Sequence, residues 1–374
     1  MMEFSGVSSR MTILHVTESM SAGVVTLLNS LTRRQAELGC SVSVLFIRRP
    51  ETPSLDQLRD WFHPAVTLVE VQSGSAGVRR LWGLVVALRR CAASGTDVVH
   101  LHSSVAGGVG RVALLLRRRG LKVFYSPHGF AFLRTNQPAW ILTGTRLAER
   151  LLSRMGDGLI LTARSEYALA RDVLQAPRVF LLQTGVPAAS IVPRPRRKPG
   201  QRPVQVAMIG RVSYQKAPWR FGAVATALRS DARFTWVGTG DATSVEMWLG
   251  GTGVEVIEWL SPEGLHDFLG TVDILLFPSL WEGMSLSLIQ AQASGVPAVV
   301  SNAIGNVDTI IDGVTGYVCD DETEMVDRVR ALILDGEARM RMSEAAIRWA
   351  QTGLIDDAIG VDSIALYSAN RRRG

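Results

Sequence analysis

From residue 12 to residue 302 the chain repeats one alternation: a short β-rich run, a stretch with helical period, then another β-rich run. TILHVTE (12–18) precedes VVTLLNSLTRRQAELG (24–39), which stops at Gly39, and SVSVLFI (41–47) follows. DVVHLHS (97–103), GRVALLLRRRG (110–120) and KVFYSPHG (122–129) repeat the unit, as do GLILTA (158–163), SEYALARDVLQA (165–176) and RVFLLQTGV (178–186). Such switching between strand and helix periods builds βαβ crossovers, which lay strands parallel in a sheet covered by helices on both faces.

One segment interrupts the pattern. PAASIVPRPRRKPGQRP (187–203) is rich in Pro and Arg, lacks periodicity and reads as a linker. The alternation then restarts with VQVAMIG (204–210), FTWVGTG (234–240), VEVIEWL (254–260), DILLFPS (273–279) and AVVSN (298–302). At 374 residues the chain exceeds one comfortable core. The expected fold is therefore α/β, with two Rossmann-like doubly wound parallel sheets facing across a cleft. Residues 1–187 form one domain, 188–203 the linker and 204–374 the other. Ligands of such sheets sit at the carboxyl ends of the strands.

Composition narrows the class. A hydrophobic share of 47% with 20% charged residues describes an ordinary globular protein. Cys40, Cys91 and Cys319 lie far apart without paired spacing, so neither a disulfide framework nor a zinc site is suggested, and a reducing cytoplasm fits. Residues 1–10 lack the apolar run of a signal peptide, and Met11 reads as a candidate start because the ordered pattern begins there. The longest apolar stretches, such as LWGLVVAL (81–88), fall short of the ~18–20 residues that span a bilayer. The expectation is a cytoplasmic protein, soluble or peripheral on the inner face of the plasma membrane. The net charge of +6 is divided unevenly, +10 over residues 1–187, +5 over 188–203 and −9 over 204–374. A basic half suggests an anionic surface or ligand, with a merely solvated Arg-rich face as the alternative.

LWEGMSLSLIQAQASGVP (280–297) carries the chemistry. Pro278-Ser279 closes a buried strand, residues 280–283 form a loop, and a helix is expected to begin near Met284-Ser285 and stop at Gly295. The first turn of a helix offers free amides and a positive dipole end, a cradle for an anion. Gly283 lets a ligand approach the main chain. Glu282 can accept bonds from sugar hydroxyls while the helix tip holds phosphate, and Gln290 lies two turns further on. The arrangement suits a ligand with a sugar at one end and a nucleotide at the other.

The segment 278–318 resembles the signature of the retaining GT-B glycosyltransferases often called family 4: Glu, seven residues, Glu, an alanine-rich helix, Gly-x-Pro, a strand and a "DG.TG" loop. GRVSYQKAP (210–218) resembles the family's Gly-Arg…Lys segment and WVGTGD (236–241) its "vGdG" strand end. DVVHLHS, SPHG (126–129), TGV (184–186) and MSAGV (20–24) match further family loops in order. Three departures stand out. Gln290 replaces the second Glu, Ala22-Gly23 stands where Gly-Gly is commoner, and Thr184 replaces Asn. An amide can still serve ribose hydroxyls, because it both donates and accepts.

The resemblance implies a nucleotide-sugar donor and a glycan or lipid-linked acceptor, as in surface polysaccharide assembly. It assigns Arg211 and Lys216 to the leaving diphosphate, Glu282 to the donor sugar, and His128 to the sugar or the positive charge developing on it. Donor binding is expected from Gly23, Gly210, Arg211, Lys216, Gly238, Glu282, Gly283, Met284, Ser285, Leu286 and Gln290, with Ser285 and Leu286 giving backbone amides. Without the resemblance, Arg211 and Lys216 would read as solvated loop cations, His128 as a structural histidine and Gly23 as a turn glycine. No cofactor or metal is expected: there is no Asp-x-Asp run, cationic side chains can substitute for magnesium, and Asp320-Asp321-Glu322 reads as a solvated loop. His100 and His102 share one side of a strand, but no third ligand is evident in the sequence, so they read as core. GGVGRVA (107–113) imitates a dinucleotide fingerprint, and close helix–sheet packing accounts for it better.

The acceptor is assigned to the basic first domain. RRLWGLVVALRR (79–90), LLLRRRG (114–120) and AWILTGTRLAERLLSR (139–154) set Arg against apolar faces, a pattern for an anionic membrane surface or for core-facing helices with solvated arginines. Nucleic acid is not expected, since no recognised module or basic–aromatic interleaving is present. The competing readings are a non-catalytic nucleotide-sugar sensor or subunit, motivated by Gln290, and a GT-B-shaped epimerase. The matched motifs lack the second carboxylate that an epimerase needs. The family resemblance also suggests that a helix within 356–374 crosses back onto the first domain.

Overall fold

A computed structural model describes residues 11–20, 22–49, 51–71, 78–93, 95–116, 120–191 and 203–369. The first sheet contains β1 (Thr12–Thr17), β2 (Ser41–Ile47), β3 (Val66–Val71), β4 (Val98–His102), β5 (Lys122–Ser126), β6 (Gly158–Leu161) and β7 (Val179–Leu181). Its order is β3-β2-β1-β4-β5-β6-β7, with every pair parallel. The second contains β8 (Val204–Ile209), β9 (Ala232–Val237), β10 (Val254–Ile257), β11 (Ile274–Phe277), β12 (Ala298–Ser301) and β13 (Gly316–Cys319), in the order β10-β9-β8-β11-β12-β13, again all parallel. Each sheet reverses winding direction once, between β1 and β4 and between β8 and β11, the position where a doubly wound sheet opens a crevice at its strand ends.

Central strands are buried end to end because helices cover both faces, and their sequences are correspondingly apolar. The edges differ. β3 (VTLVEV) and β13 (GYVC) are only partly buried, and Thr67, Glu70 and Gly316 break the apolar run that betrays the central strands. Gly107 and Gly110 lie in the Ser104–Ala113 helix, where an added Cβ would stand 2.0 Å from the Tyr125 ring and 2.6 Å from Leu101. Close packing of helix on sheet requires glycine at both positions.

Most of the linker expected at 188–203, residues 192–202, lies outside the described residues. A second connection joins the lobes. Val186 N–H donates to Leu354 O at 2.9 Å and Asp356 N–H donates to Val186 O at 3.1 Å, and a Cβ on Gly185 would meet Leu354 O at 2.3 Å. The chain then enters the Ile359–Ala369 helix, which packs on the Ala22–Glu37 helix of the first lobe. Tyr367 is fully buried among Ile13, Val98, Phe124 and Ile160. The last helix therefore belongs to the first lobe's core, although its residues end the chain.

Candidate functional site

β8 and β9 end side by side at Gly210 and Gly238. Gly238 has φ +127°, and a Cβ there would lie 2.4 Å from Gly210 O, so only glycine permits this approach. A Cβ on Gly210 would press on Lys216 Cε at 3.1 Å. Residues Tyr214–Lys216 form a single 3-10 turn ending at Ala217, whose φ of 48° redirects the chain into the Pro218–Leu228 helix. Two bonds stitch this turn to the loop after β11: Leu280 N–H donates to Gln215 O, and the Gln215 amide donates to Trp281 O, both at 2.8 Å. Lys216 Nζ then stands 2.7 Å from Glu282 Oε1 and 4.6 Å above the Phe277 ring. Glu282 is buried, and its N–H donates to Ile304 O at 2.9 Å. Arg211 follows Gly210 at the same strand end and is exposed.

The helix expected to start near Met284 runs from Leu286 to Ala293, with Ser285 as N-cap. Ser285 bonds Ser287 Oγ at 3.1 Å rather than an amide of the first turn, and Ser287 Oγ donates to Ile209 O at 3.1 Å. The first-turn amides thus keep no side-chain cap, at a point tied to the end of β8. Met284 and Leu286 pack against the apolar cluster around Ile289, Ala350 and Leu354, so they offer the cleft backbone rather than side chains. Gln290, one helix face away, is partly exposed.

The opposite wall comes from β5. His128 (φ 53°) and Gly129 (φ 97°) make a left-handed turn after it. A Cβ on Gly283 would sit 2.9 Å from His128 C and 3.0 Å from its Cα, so the two lobes touch backbone to backbone there. Gly129 N–H donates to Glu166 Oε1 at 2.8 Å. Glu166 is fully buried, and desolvation pushes its carboxyl up to about 7. Its neighbour Ser165 receives Gly305 N–H on Oγ at 3.0 Å and donates its own N–H to Asp308 Oδ1 at 3.0 Å, with a further bond between the Ser165 hydroxyl and Asp308. Ser165, Glu166 and Asp308 escaped the sequence reading. The signal that was available is that Ser165 and Glu166 follow β6 at a carboxyl strand end.

Three histidines, His15, His100 and His102, line the interior behind His128. The parallel register pairs His15 with His100, and His102 lies two residues along the same strand. The absence of a third ligand for His100 and His102 is thereby corrected: ligand atoms of His15, His100 and His102 all lie within 4.8 Å of one another. The partner was hidden because it comes from β1. Every ring nitrogen of the three is nevertheless engaged by protein. His15 bonds Gln35 and His102, His102 bonds His15 and His128, and His100 bonds the hydroxyls of Tyr367 and Ser126. Burial holds all four neutral at ordinary pH, with His15 and His128 lowered to about 4.

The structure thus brings Gly210, Lys216, Gly238, Glu282, Gly283, Ser285, Leu286 and His128 to one set of strand ends between the lobes. Gly23 sits in the first turn of the Ala22–Glu37 helix, with open space where a Cβ would stand. Its neighbour Ser21 lies outside the described residues. Asp321 accepts the Glu324 N–H at 2.9 Å as a helix cap, and Asp320 accepts from Asn302 at 2.7 Å.

Against known families, residues 203–335 match the model described as "Glycosyl transferases group 1", and residues 22–185 match "Glycosyl transferase 4-like domain". A Klebsiella pneumoniae relative described as an uncharacterized 41.2 kDa protein in the cps region is 24% identical, over 82% of this chain and 86% of its own length. The Escherichia coli UDP-Gal:alpha-D-GlcNAc-diphosphoundecaprenol alpha-1,3-galactosyltransferase is 28% identical over 56% of this chain and 59% of its own length. Among solved structures, sucrose-phosphate synthase of Thermosynechococcus elongatus superposes with a TM-score of 0.80 at 18% identity, covering 96% of this chain and 99% of that one. HepE of Anabaena, solved with UDP and glucose, gives 0.76 at 15% identity, covering 96% and 100%.

Proposed function

Because this chain belongs to the group 1, GT4-like glycosyltransferases and folds as a GT-B pair of lobes, we propose that it is a retaining enzyme acting on a nucleoside-diphosphate sugar, with a lipid-linked saccharide as acceptor. The product would be a surface-polysaccharide intermediate. The observation that carries this reading is the Lys216–Glu282 pair beside an uncapped helix start, directly under the His128–Gly129 turn of the other lobe. An ammonium and a row of free amides suit a diphosphate, and a carboxylate one hydrogen bond away suits the hydroxyls of the attached sugar.

In this mechanism the bond between sugar C1 and the β-phosphate oxygen breaks as the acceptor hydroxyl oxygen bonds C1 from the same face. The acceptor proton passes to a β-phosphate oxygen. Lys216, Arg211 and the amides at 285–286 stabilise the charge growing on the departing diphosphate, the term on which such a transfer depends most. An arriving diphosphate competes for Lys216, which frees Glu282 for the sugar. His128 lies on the wall facing both, and Gln290 is within the same helix for the ribose. These residues need no metal to do this work.

Two relatives support the substrate classes by their names: the cps-region protein points to capsule-type polysaccharide, and the galactosyltransferase to a lipid diphosphate acceptor. The first lobe supports a membrane approach on the cytoplasmic side. Trp82, Val112 and Trp140 stand exposed on neighbouring helices and Leu116 in the turn after one of them, with Arg79, Arg89, Arg90 and Arg150 on the same helices and Arg154 just beyond them also exposed. Among the described residues no helix is long and apolar enough to cross a membrane.

The test is thermal stabilisation by UDP, GDP and ADP, since only a nucleotide that prefers the folded state raises the melting temperature. Donor consumption by wild type and Glu282→Ala, and the anomeric configuration of the product by NMR, follow. Binding without turnover of any donor would replace the enzyme by a sensor, and an inverted anomer would refute retention. Cosedimentation with anionic against neutral vesicles tests the membrane approach, which indifference to lipid charge would remove.

A further inference from the structure

His128 is the end of a hydrogen-bonded chain that begins on the last helix of the protein. Ser363 Oγ donates to Gly360 O at 2.8 Å, which commits its only proton. It must therefore accept from Gln35, whose Nε2 lies 2.9 Å away. The same helix also fixes the neighbouring His100. Ser126 Oγ donates to Ile160 O at 2.6 Å and so accepts from His100 Nε2–H at 2.8 Å, which leaves His100 Nδ1 to accept the Tyr367 hydroxyl proton at 2.7 Å. Ser363 of the Ile359–Ala369 helix thus turns the Gln35 nitrogen toward itself and its oxygen toward His15.

The rest is forced, because a neutral imidazole has one donor and one acceptor. Gln35 Oε1 accepts His15 Nε2–H at 2.8 Å, His15 Nδ1 accepts His102 Nε2–H at 2.9 Å, and His102 Nδ1 accepts His128 Nε2–H at 2.9 Å. His128 Nδ1 takes no part in this chain. Burial keeps the rings neutral at neutral pH, so the chain has one direction throughout. Gln35 and Ser363 are 328 residues apart in sequence.

We propose that Gln35, held by Ser363, is a positioning residue that acts through His15 and His102 to keep the His128 proton on Nε2, leaving Nδ1 as a hydrogen-bond acceptor for a hydroxyl of the donor sugar. The sugar contact rests on the donor site proposed above; the order of protons does not. The last helix is thereby more than a strap on the first lobe, since it sets the polarity of a group on the cleft wall. Reversing the Gln35 amide would reverse every link and make Nδ1 a donor.

The experiment is nitrogen-15 NMR of the histidine rings in the full chain at pH 7.5, with His128 assigned by its loss in His128→Gln. In the wild type, His15, His102 and His128 are expected as neutral Nε2–H tautomers. Gln35→Leu removes the acceptor, and Ser363→Ala keeps Gln35 but releases it. Both are expected to give His128 a substantial Nδ1–H population and to lower kcat/KM for donor turnover at least tenfold. A wild-type His128 protonated on Nδ1 overturns the proposal, and that measurement needs no variant to fold. So does an unchanged tautomer in folded Gln35→Leu, or a changed tautomer with undiminished turnover. A wild type that turns over no donor would sink the transferase reading alone, because the tautomers still decide the order of protons.

Discussion

Lys216 Nζ and Glu282 Oε1 form a 2.7 Å ion pair in which the two side chains keep only 15% and 9% of their exposure. Removing one partner strands the other charge in a poorly hydrated place, which costs about 3 kcal/mol. Lys216→Met and Glu282→Gln are each expected to lose stability of that order in urea unfolding, and the double variant to recover most of it. Turnover separates structure from chemistry. It should fall about 100-fold or more in each single variant and stay low in the double. Recovery of turnover along with stability would make the pair merely structural.

Arg211 gives the complementary case. It is exposed, so Arg211→Ala should alter stability by less than about 1 kcal/mol. If its guanidinium faces the departing diphosphate, kcat/KM falls by roughly 2–4 kcal/mol of transition-state stabilisation. Near-normal turnover would remove Arg211 from the mechanism.

Gly283 tests the contact between lobes. Alanine there would place a Cβ 2.9 Å from the His128 carbonyl carbon, so the walls must part. Since misplacement of about 1 Å costs on the order of 100-fold in rate, Gly283→Ala is expected to cut turnover at least tenfold with little change in melting temperature. A variant of full activity would mean that the walls need not meet.

The sequence made the loops legible because their chemistry is local. Lys216 sits six residues past Gly210, and Glu282 stands one residue before the glycine that admits the opposite wall. Strand–helix alternation gave both sheets, since buried parallel strands are written as apolar runs. What escaped is non-local. Ser165 and Asp308 meet across 143 residues, and His15 reaches His102 only through the parallel register of β1 and β4. The edge strands β3 and β13 are only partly buried, so their sequences admit Thr67, Glu70 and Gly316 within what would otherwise be an apolar run. No local pattern marks Gln35 as the partner of Ser363.

Acid and base act in opposite senses on this fold. His15 and His128 have folded-state values near 4, below the ordinary 6.5, and His100 and His102 are also held well below it, by burial first and then by the neighbouring histidines. The unfolded chain binds those protons first, so this contribution is complete above about pH 6.5 and is lost as the pH falls toward 4. Unfolding free energy measured in urea should drop steeply over that window, and His102→Gln should flatten the slope. A pH-independent stability between 4 and 6.5 would refute the neutral cluster.

Glu166 works the other way. Its folded value is raised to about 7, so the native state holds a proton that the unfolded chain releases above about 4.5. Stability is therefore lost as pH rises from about 4.5 to 7, by a total on the order of 3 kcal/mol. Glu166→Gln retains an acceptor for Gly129 N–H and should remove that loss. An identical pH slope in wild type and variant would show Glu166 to titrate normally.

In the proposed site a nucleoside diphosphate sits between the lobes on Lys216 and the helix start at Ser285. Isothermal titration of whichever of UDP, GDP and ADP binds most tightly, beside its monophosphate, into wild type and Lys216→Met measures this directly. The diphosphate is expected to bind more tightly than the monophosphate to the wild type, and Lys216→Met to erase most of that difference. Equal affinities in both proteins, or no binding by any of the three, would contradict it.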